Sequence, residues 1–183
     1  MVHNNYKAII ISLMKHYKLV LGLVVFLCLS LLFIDFNKPL KGKIDHMVIN
    51  KNKRELLVYN KNNKLLKKYK VALGFEPKGK KEFQGDGKTP EGTYFINDKN
   101  SKSIAHKNLG ISYPNAEDIK NSLLIGKATG GDIKIHGLMN KWWIIGNFHR
   151  QFDWTNGCIA VSNSEIDELY KNVPIGTKII INP

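Results

Sequence analysis

Cysteine is scarce in this chain: two occur in 183 residues, Cys28 and Cys158, which excludes a disulfide-stapled scaffold. Arginine is scarcer still for so basic a protein, with Arg54 and Arg150 standing among 28 Lys and Arg. Acidic residues number 15, so the formal charge is +13 and is carried mostly by lysine, which favours anionic partners. No glycine-rich phosphate loop, zinc-finger spacing or aromatic-basic RNA motif is present, so nucleic acid is not the expected partner. A lysine-rich surface suits anionic lipid headgroups or wall polymers instead. There is no internal repeat and no low-complexity tract, and 43% hydrophobic with 23% charged residues excludes both disorder and a multispan membrane protein. The length fits one domain with a short appendage.

That appendage is the N-terminus. Leu19 to Ile34 (LVLGLVVFLCLSLLFI) carries no charge, and as helix it runs about 24 Å, close to the hydrocarbon core of a bilayer. Tyr17 and Phe36 suit the interfaces, and Lys18 can snorkel outward. Lys7, Lys15, His16 and Lys18 precede the run, so the positive-inside rule leaves them in the cytoplasm and exports the chain beyond Asp35. The expected division is a basic cytoplasmic segment (1–18), a transmembrane signal anchor (19–35), a linker (36–43) and an exported domain (44–183). A cleaved signal peptide is the rival, but no small-x-small cleavage site lies after the apolar run. Leu27 before Cys28 does not suit lipoprotein processing. A cysteine at bilayer depth cannot pair with Cys158 outside it, so Cys158 stays a free thiol.

Beyond the linker the pattern predicts mainly β structure: Ile44 to Asn50, Glu55 to Tyr59, Leu65 to Leu73, Thr93 to Ile96, Asp132 to Ile135, Trp142 to Ile145 and a closing strand Thr177 to Asn182. Asn60-Lys61-Asn62-Asn63-Lys64 joins the second and third as a hairpin, because asparagine tolerates left-handed backbone angles. Gly85 to Gly92 (GDGKTPEG) reads as a structural turn. One helix is expected after the anchor, capped by Ser162 to Glu165, carrying Ile166, Leu169 and Tyr170, and ending at Val173-Pro174. The predicted fold is a sandwich or barrel of short strands with a helix beside the site.

Two segments carry chemistry. Ile133-Lys134-Ile135-His136-Gly137 is a strand ending in histidine; Thr155-Asn156-Gly157-Cys158-Ile159 is a turn delivering cysteine. A free thiol is little ionised at neutral pH, so a nucleophilic Cys158 needs a base, and His136 supplies one. Gly157 admits a substrate carbonyl, and the backbone N–H groups of Gly157 and Cys158 offer an oxyanion site. The Gly137 carbonyl is placed to accept from the second imidazole nitrogen and fix the tautomer. The bland alternatives are a buried, inert cysteine and a structural histidine.

His136-Gly137 followed by Thr155-Asn156-Gly157-Cys158, with Gly85 to Tyr94 (GDGKTPEGTY) upstream, resembles the YkuD-type L,D-transpeptidase catalytic domain over 44–183. That resemblance implies a β-sandwich and acyl transfer on peptidoglycan stem peptides. Cys158 would form a thioester at the third residue of a tetrapeptide and expel D-alanine, and an amine from another stem would resolve it. It also implies acylation of Cys158 by carbapenems, a place in cell-wall biogenesis and cell shape, and no metal or organic cofactor. The family often has histidine where this chain has Asn156, and arginine where it has Ala160; the stretch Asp153-Trp154-Thr155-Asn156-Gly157-Cys158-Ile159-Ala160 matches a branch without them. Trp142, Trp143 and Trp154 are candidates to line the substrate channel. Arg150 is a candidate to hold a stem-peptide carboxylate in bidentate fashion, and Thr155 and Asn156 to bind substrate.

Other readings share these residues. Sortases are exported cysteine transpeptidases too, but they use an arginine beyond the nucleophile, and none lies after Cys158. Water as acceptor would give an L,D-carboxypeptidase or an amidase, and loss of activity would leave a wall-binding module. A zinc site on Cys158, His136 and His149 matches no zinc signature. The expected location is the bacterial cytoplasmic membrane, single-pass, with a monomeric domain on the outer side.

Overall fold

The computed structural model describes residues 14, 16–26 and 39–183, which divide between two units, Met1–Asn37 and Lys38–Pro183. In the first unit, 16–26 form helix α1. The second half of the expected anchor (27–35, Cys28 included), most of the expected cytoplasmic segment and residues 36–38 of the linker lie outside the described residues. Among the described residues no helix is long and apolar enough to cross a membrane.

The second unit is mainly β sheet with a few helices. Strands β1 (His46–Asn50), β2 (Glu55–Tyr59) and β3 (Leu65–Lys70) form an antiparallel meander, and β4 (Gly92–Ser103) and β5 (His106–Ile111) a long hairpin. Next in the chain come helix α2 (Ala116–Leu124), β6 (Lys134–His136), a 3₁₀ segment (Asn140–Gln151), β7 (Ile159–Ala160), α3 (Asn163–Asn172) and β8 (Lys178–Asn182). The spatial order is β3-β2-β1-β8-β4-β5-β6-β7. A bridge between Ala72, just past β3, and Ala160 of β7 joins the two ends of this order, so the sheet curls back on itself. Curling removes edges that would otherwise pair with other chains.

The core is built on alternation. Met47 and Ile49 of β1 and Ile179 and Ile181 of β8 point inward at two-residue spacing, at most 2% exposed. Each such side chain stabilises the fold by about 1.5–3 kcal/mol. In the β2–β3 turn the Asn60 side chain accepts from the N–H groups of Asn62 and Lys64, both at 3.0 Å, and Asn63 takes φ +56°. In α3, Ser162 and Glu165 form a reciprocal capping box, and Ile166 and Leu169 are buried.

Three expectations are corrected. Trp142 to Ile145 is not a strand; it lies in the 3₁₀ segment, which breaks at Trp142 and at Gly146. The strand expected at Thr93 to Ile96 runs on to Ser103 and pairs with β5, where Leu109, Gly110 and Ile111 are buried in succession, so no alternation betrays the strand. Helix α2 breaks the one-helix expectation because it is inverted: it buries Asp118 and Ser122 while Ile119, Leu123 and Leu124 are exposed. The buried Asp118 carboxylate accepts from the Tyr94 hydroxyl at 2.8 Å, and Lys80 lies 3.3 Å away.

Candidate active site

His136 closes β6, which runs parallel to β7 with Ile135 opposite Ile159 and His136 opposite Ala160. The Val161 N–H donates to the His136 carbonyl at 2.9 Å, so the backbone of the histidine is held at the strand end. Its buried ring puts Nδ1 2.7 Å from the Gly137 carbonyl oxygen. A carbonyl can only accept, so Nδ1 carries the proton and the Nε2 lone pair is left available. The Trp154 indole meets the ring edge-to-face at 5.7 Å. Burial lowers the imidazole pKa, opposed by the Gly137 bond and assisted by the Lys134 charge, so the resting ring is neutral at pH 7.

Cys158 sits at the end of a turn that Thr155 ties together. The Thr155 hydroxyl donates to the Cys158 carbonyl at 2.7 Å and accepts from the Gly157 N–H at 3.1 Å. Gly157 has φ +126°, and a Cβ there would stand 2.7 Å from the Lys88 carbonyl oxygen. Gly74 packs as closely: a Cβ would fall 2.0 Å from the Gly87 oxygen. The Gly85 to Gly92 loop therefore braces the Cys158 turn by backbone contact.

The loop is itself fixed twice. The Asp86 carboxylate accepts from Lys81 Nζ at 2.7 Å and from the N–H groups of Glu82, Phe83 and Lys88. Burial works to raise its pKa, but these donors prevail and hold it below the ordinary carboxylate range. Lys51, 1% exposed, reaches the Gly79 and Thr89 carbonyls and Glu91 at 2.6, 3.0 and 2.7 Å, satisfying its three donors.

The half-buried Cys158 thiol donates to the Asp132 carbonyl at 3.7 Å. Burial pushes its pKa above the ordinary 9.0, against the lowering pull of the Lys134 N–H and the Lys134 and Lys81 charges. Cys158 and His136 line one cavity of about 560 Å³, together with Trp142, Trp154, Thr155 and Asn156. A second cavity of about 410 Å³ opens on the other side of Asn156, beside Phe75 and Lys81.

Three sequence expectations change here. The Arg150 guanidinium is engaged within the fold: its Nη1 lies 2.7 and 2.6 Å from the two carboxylate oxygens of Glu165 and 3.4 Å from the Lys70 carbonyl. The acid it was expected to take from a ligand comes from α3. Thr155 lines the cavity, but its hydroxyl is committed within the turn. The Gly157 N–H is likewise given to Thr155, which leaves the Cys158 N–H as the turn's candidate oxyanion donor. Trp154 and the exposed Asn156 do line the cavity.

Sequence reasoning missed Asp132, Lys134 and the wall supplied by Ile104 and Asn108, because the β4–β5 hairpin that brings the last two was not legible. His149 is buried, 6.0 Å from Trp154 and edge-on to it, with neither ring nitrogen partnered among the described residues. Burial, then the Arg150 charge and His136, push its pKa down to about 4. Among the described residues no group of three His, Cys, Asp or Glu is placed to hold a metal ion, so Cys158, His136 and His149 do not form a ligand set.

Residues 44–181 match the YkuD family model, described as the L,D-transpeptidase catalytic domain. Two curated relatives carry L,D-transpeptidase names. YqjB of Bacillus subtilis (strain 168) is 28% identical over 160 residues, 86% of this chain and 81% of YqjB. YafK of Escherichia coli (strain K12) is 30% identical over 145 residues, 76% of this chain and 51% of YafK. Among solved structures, the helical cell shape determining protein Pgp2 from Campylobacter jejuni superposes with a TM-score of 0.58 at 25% identity, covering 80% of this chain and 51% of Pgp2. The chain thus spans about half the length of YafK and of the Pgp2 structure.

Proposed function

Since the chain belongs to the YkuD L,D-transpeptidase catalytic-domain family, we propose that Cys158 and His136 carry out cysteine-dependent acyl transfer on peptidoglycan stem peptides. His136 Nε2 takes the thiol proton as sulfur attacks the carbonyl carbon of the third residue of a tetrapeptide stem. The Cys158 N–H holds the oxyanion that forms. The bond to D-alanine then breaks, its nitrogen leaves with the proton from His136, and a thioester remains on Cys158. An acceptor amine attacks the thioester, gives a proton to His136, and sulfur departs and regains it. The acceptor is a second stem peptide; water in its place gives L,D-carboxypeptidase or amidase outcomes from the same thioester.

The observation that carries this reading is the shared cavity in which a thiol and an imidazole with a committed Nδ1 both stand. Burial favours the uncharged form of both groups, so in this reading the proton moves as sulfur attacks. The apolar, lysine-flanked N-terminal run supports placing the domain outside the cytoplasmic membrane on a single anchor. The likeness to Pgp2 supports a role in cell shape.

The test is product analysis by mass spectrometry after incubating the full chain with disaccharide-tetrapeptides. Wild type is expected to release D-alanine and form cross-linked dimers or tripeptides; Cys158→Ala is expected to do neither. Binding of unchanged tetrapeptide by wild type would instead identify a wall-binding module.

A further inference from the structure

The cavity around Cys158 is built mostly of uncharged groups, with Ile104, Met139, Trp142 and Trp154 supplying its apolar wall. Among the described residues that line it, one carries a fixed positive charge, Lys134. Strand geometry places that charge: Lys134 and His136 are two residues apart on β6 and share a face, and the parallel register that pairs Ile135 with Ile159 sets Lys134 beside Cys158. Lys134 thus lines the same cavity as the Cys158 sulfur and the His136 ring.

The resting partner of this ammonium is replaceable. Lys134 Nζ lies 2.6 Å from Asp132 Oδ1, with the Asp132 side chain 81% exposed. An ion pair so open to water contributes little, so another carboxylate can displace it cheaply. Asp132 also holds φ +60°, a backbone state that L residues adopt rarely, and its carbonyl is the one that takes the Cys158 thiol proton. One residue thus engages both the cation and the nucleophile of the cavity.

We propose that Lys134 is the specificity residue that reads the free C-terminal carboxylate of the departing residue, exchanging Asp132 for it when a stem peptide binds. This rests on the reading of Cys158 as the nucleophile toward stem peptides. The departing D-alanine carries its carboxylate a few bonds from the carbonyl that Cys158 attacks, within reach of an ammonium on the adjacent strand. A stem longer by one residue has an amide there, which offers Lys134 no charge. An exopeptidic preference for tetrapeptides over pentapeptides then comes from one side chain.

The test compares kcat/KM of the full chain on a disaccharide-tetrapeptide and on the same compound with its terminal carboxylate converted to carboxamide. Wild type is expected to lose about tenfold to a hundredfold on the carboxamide, the range of one charge-assisted hydrogen bond. Lys134→Met and Lys134→Gln are expected to lose that much on the acid, mainly in KM, and to turn over both compounds alike, while Lys134→Arg keeps most of the preference. Thermal melts of Lys134→Met and Lys134→Gln that overlay wild type show them folded. Undiminished preference for the acid in active Lys134→Met and Lys134→Gln overturns the inference alone. Inactivity of wild type on both compounds overturns the enzyme reading and this inference with it.

Discussion

The Cys158 thiol donates to the Asp132 carbonyl at 3.7 Å, while the His136 ring across the same cavity gives its Nδ1 proton to Gly137. The proposed nucleophile and base are therefore both engaged by backbone carbonyls at rest, and in the proposed reaction sulfur leaves Asp132 to meet Nε2. Burial raises the thiol pKa and lowers the imidazole pKa, so the neutral pair persists over a wide range.

That pair sets the pH dependence of activity. His136 must be unprotonated to act, and its pKa lies below the ordinary 6.5, so the acid limb of kcat/KM should fall below pH 6.5. The thiol sits above 9.0, so no alkaline limb is expected below that pH, and alkylation of Cys158 by iodoacetamide should be slower at pH 7 than that of free cysteine. Rapid alkylation at pH 6 would show a thiolate–imidazolium pair instead.

His149 gives a separate signal in stability. Its pKa of about 4 when folded lies below the ordinary 6.5, so between these values the unfolded chain binds a proton that the folded chain refuses. Stability is then full above about pH 6.5 and falls as pH drops toward 4, by about 3 kcal/mol. Denaturant melts of wild type and His149→Phe at pH 7 and pH 4.5 should show the variant losing less, since the substitution removes the titration and two unpartnered nitrogens.

Arg150 is expected to behave as a structural residue. Its removal strands a Glu165 carboxylate that is 2% exposed, so Arg150→Met should cost about 3–5 kcal/mol in denaturant melts while leaving KM for stem peptides near wild type. Replacing Glu165 as well should recover part of the loss. A large rise in KM at unchanged stability would return Arg150 to the substrate.

Gly157→Ala tests the bracing of the nucleophile turn. The added Cβ meets Lys88 O at 2.7 Å in a backbone state that disfavours it, so a loss of about 2–4 kcal/mol is expected together with weaker acylation. Equal stability would mean that the Gly85 to Gly92 loop gives way freely.

The sequence made legible those parts whose physics is local. Strand β2 was read to its ends because Leu56 and Val58 alternate with less buried neighbours, and α3 because Ser162 and Glu165 spell a capping box before Ile166 and Leu169. Helix α2 hid its identity by burying Asp118 and Ser122, and the partner that stabilises Asp118 there, Tyr94, lies far away in sequence. The Trp142 to Ile145 run imitates a strand in sequence, yet it lies in a 3₁₀ segment that breaks at Trp142 and Gly146. At the candidate site, His136 and Cys158, singled out by residue type and spacing, line one cavity. Arg150 was misread because nothing in its neighbourhood announces that Glu165, on another element, takes the guanidinium. Lys134 passed unnoticed because a lysine on a strand looks like any surface lysine until register sets it beside Cys158.

Intact-protein mass spectrometry of the full chain, quenched in acid within the first turnovers on disaccharide-tetrapeptide, tests the central claim most directly. An adduct on Cys158 with the mass of the disaccharide-tripeptide acyl group, absent in Cys158→Ala and accumulating when no acceptor amine is supplied, is the expected result. Turnover without any adduct, or with the adduct retained in Cys158→Ala, would contradict it.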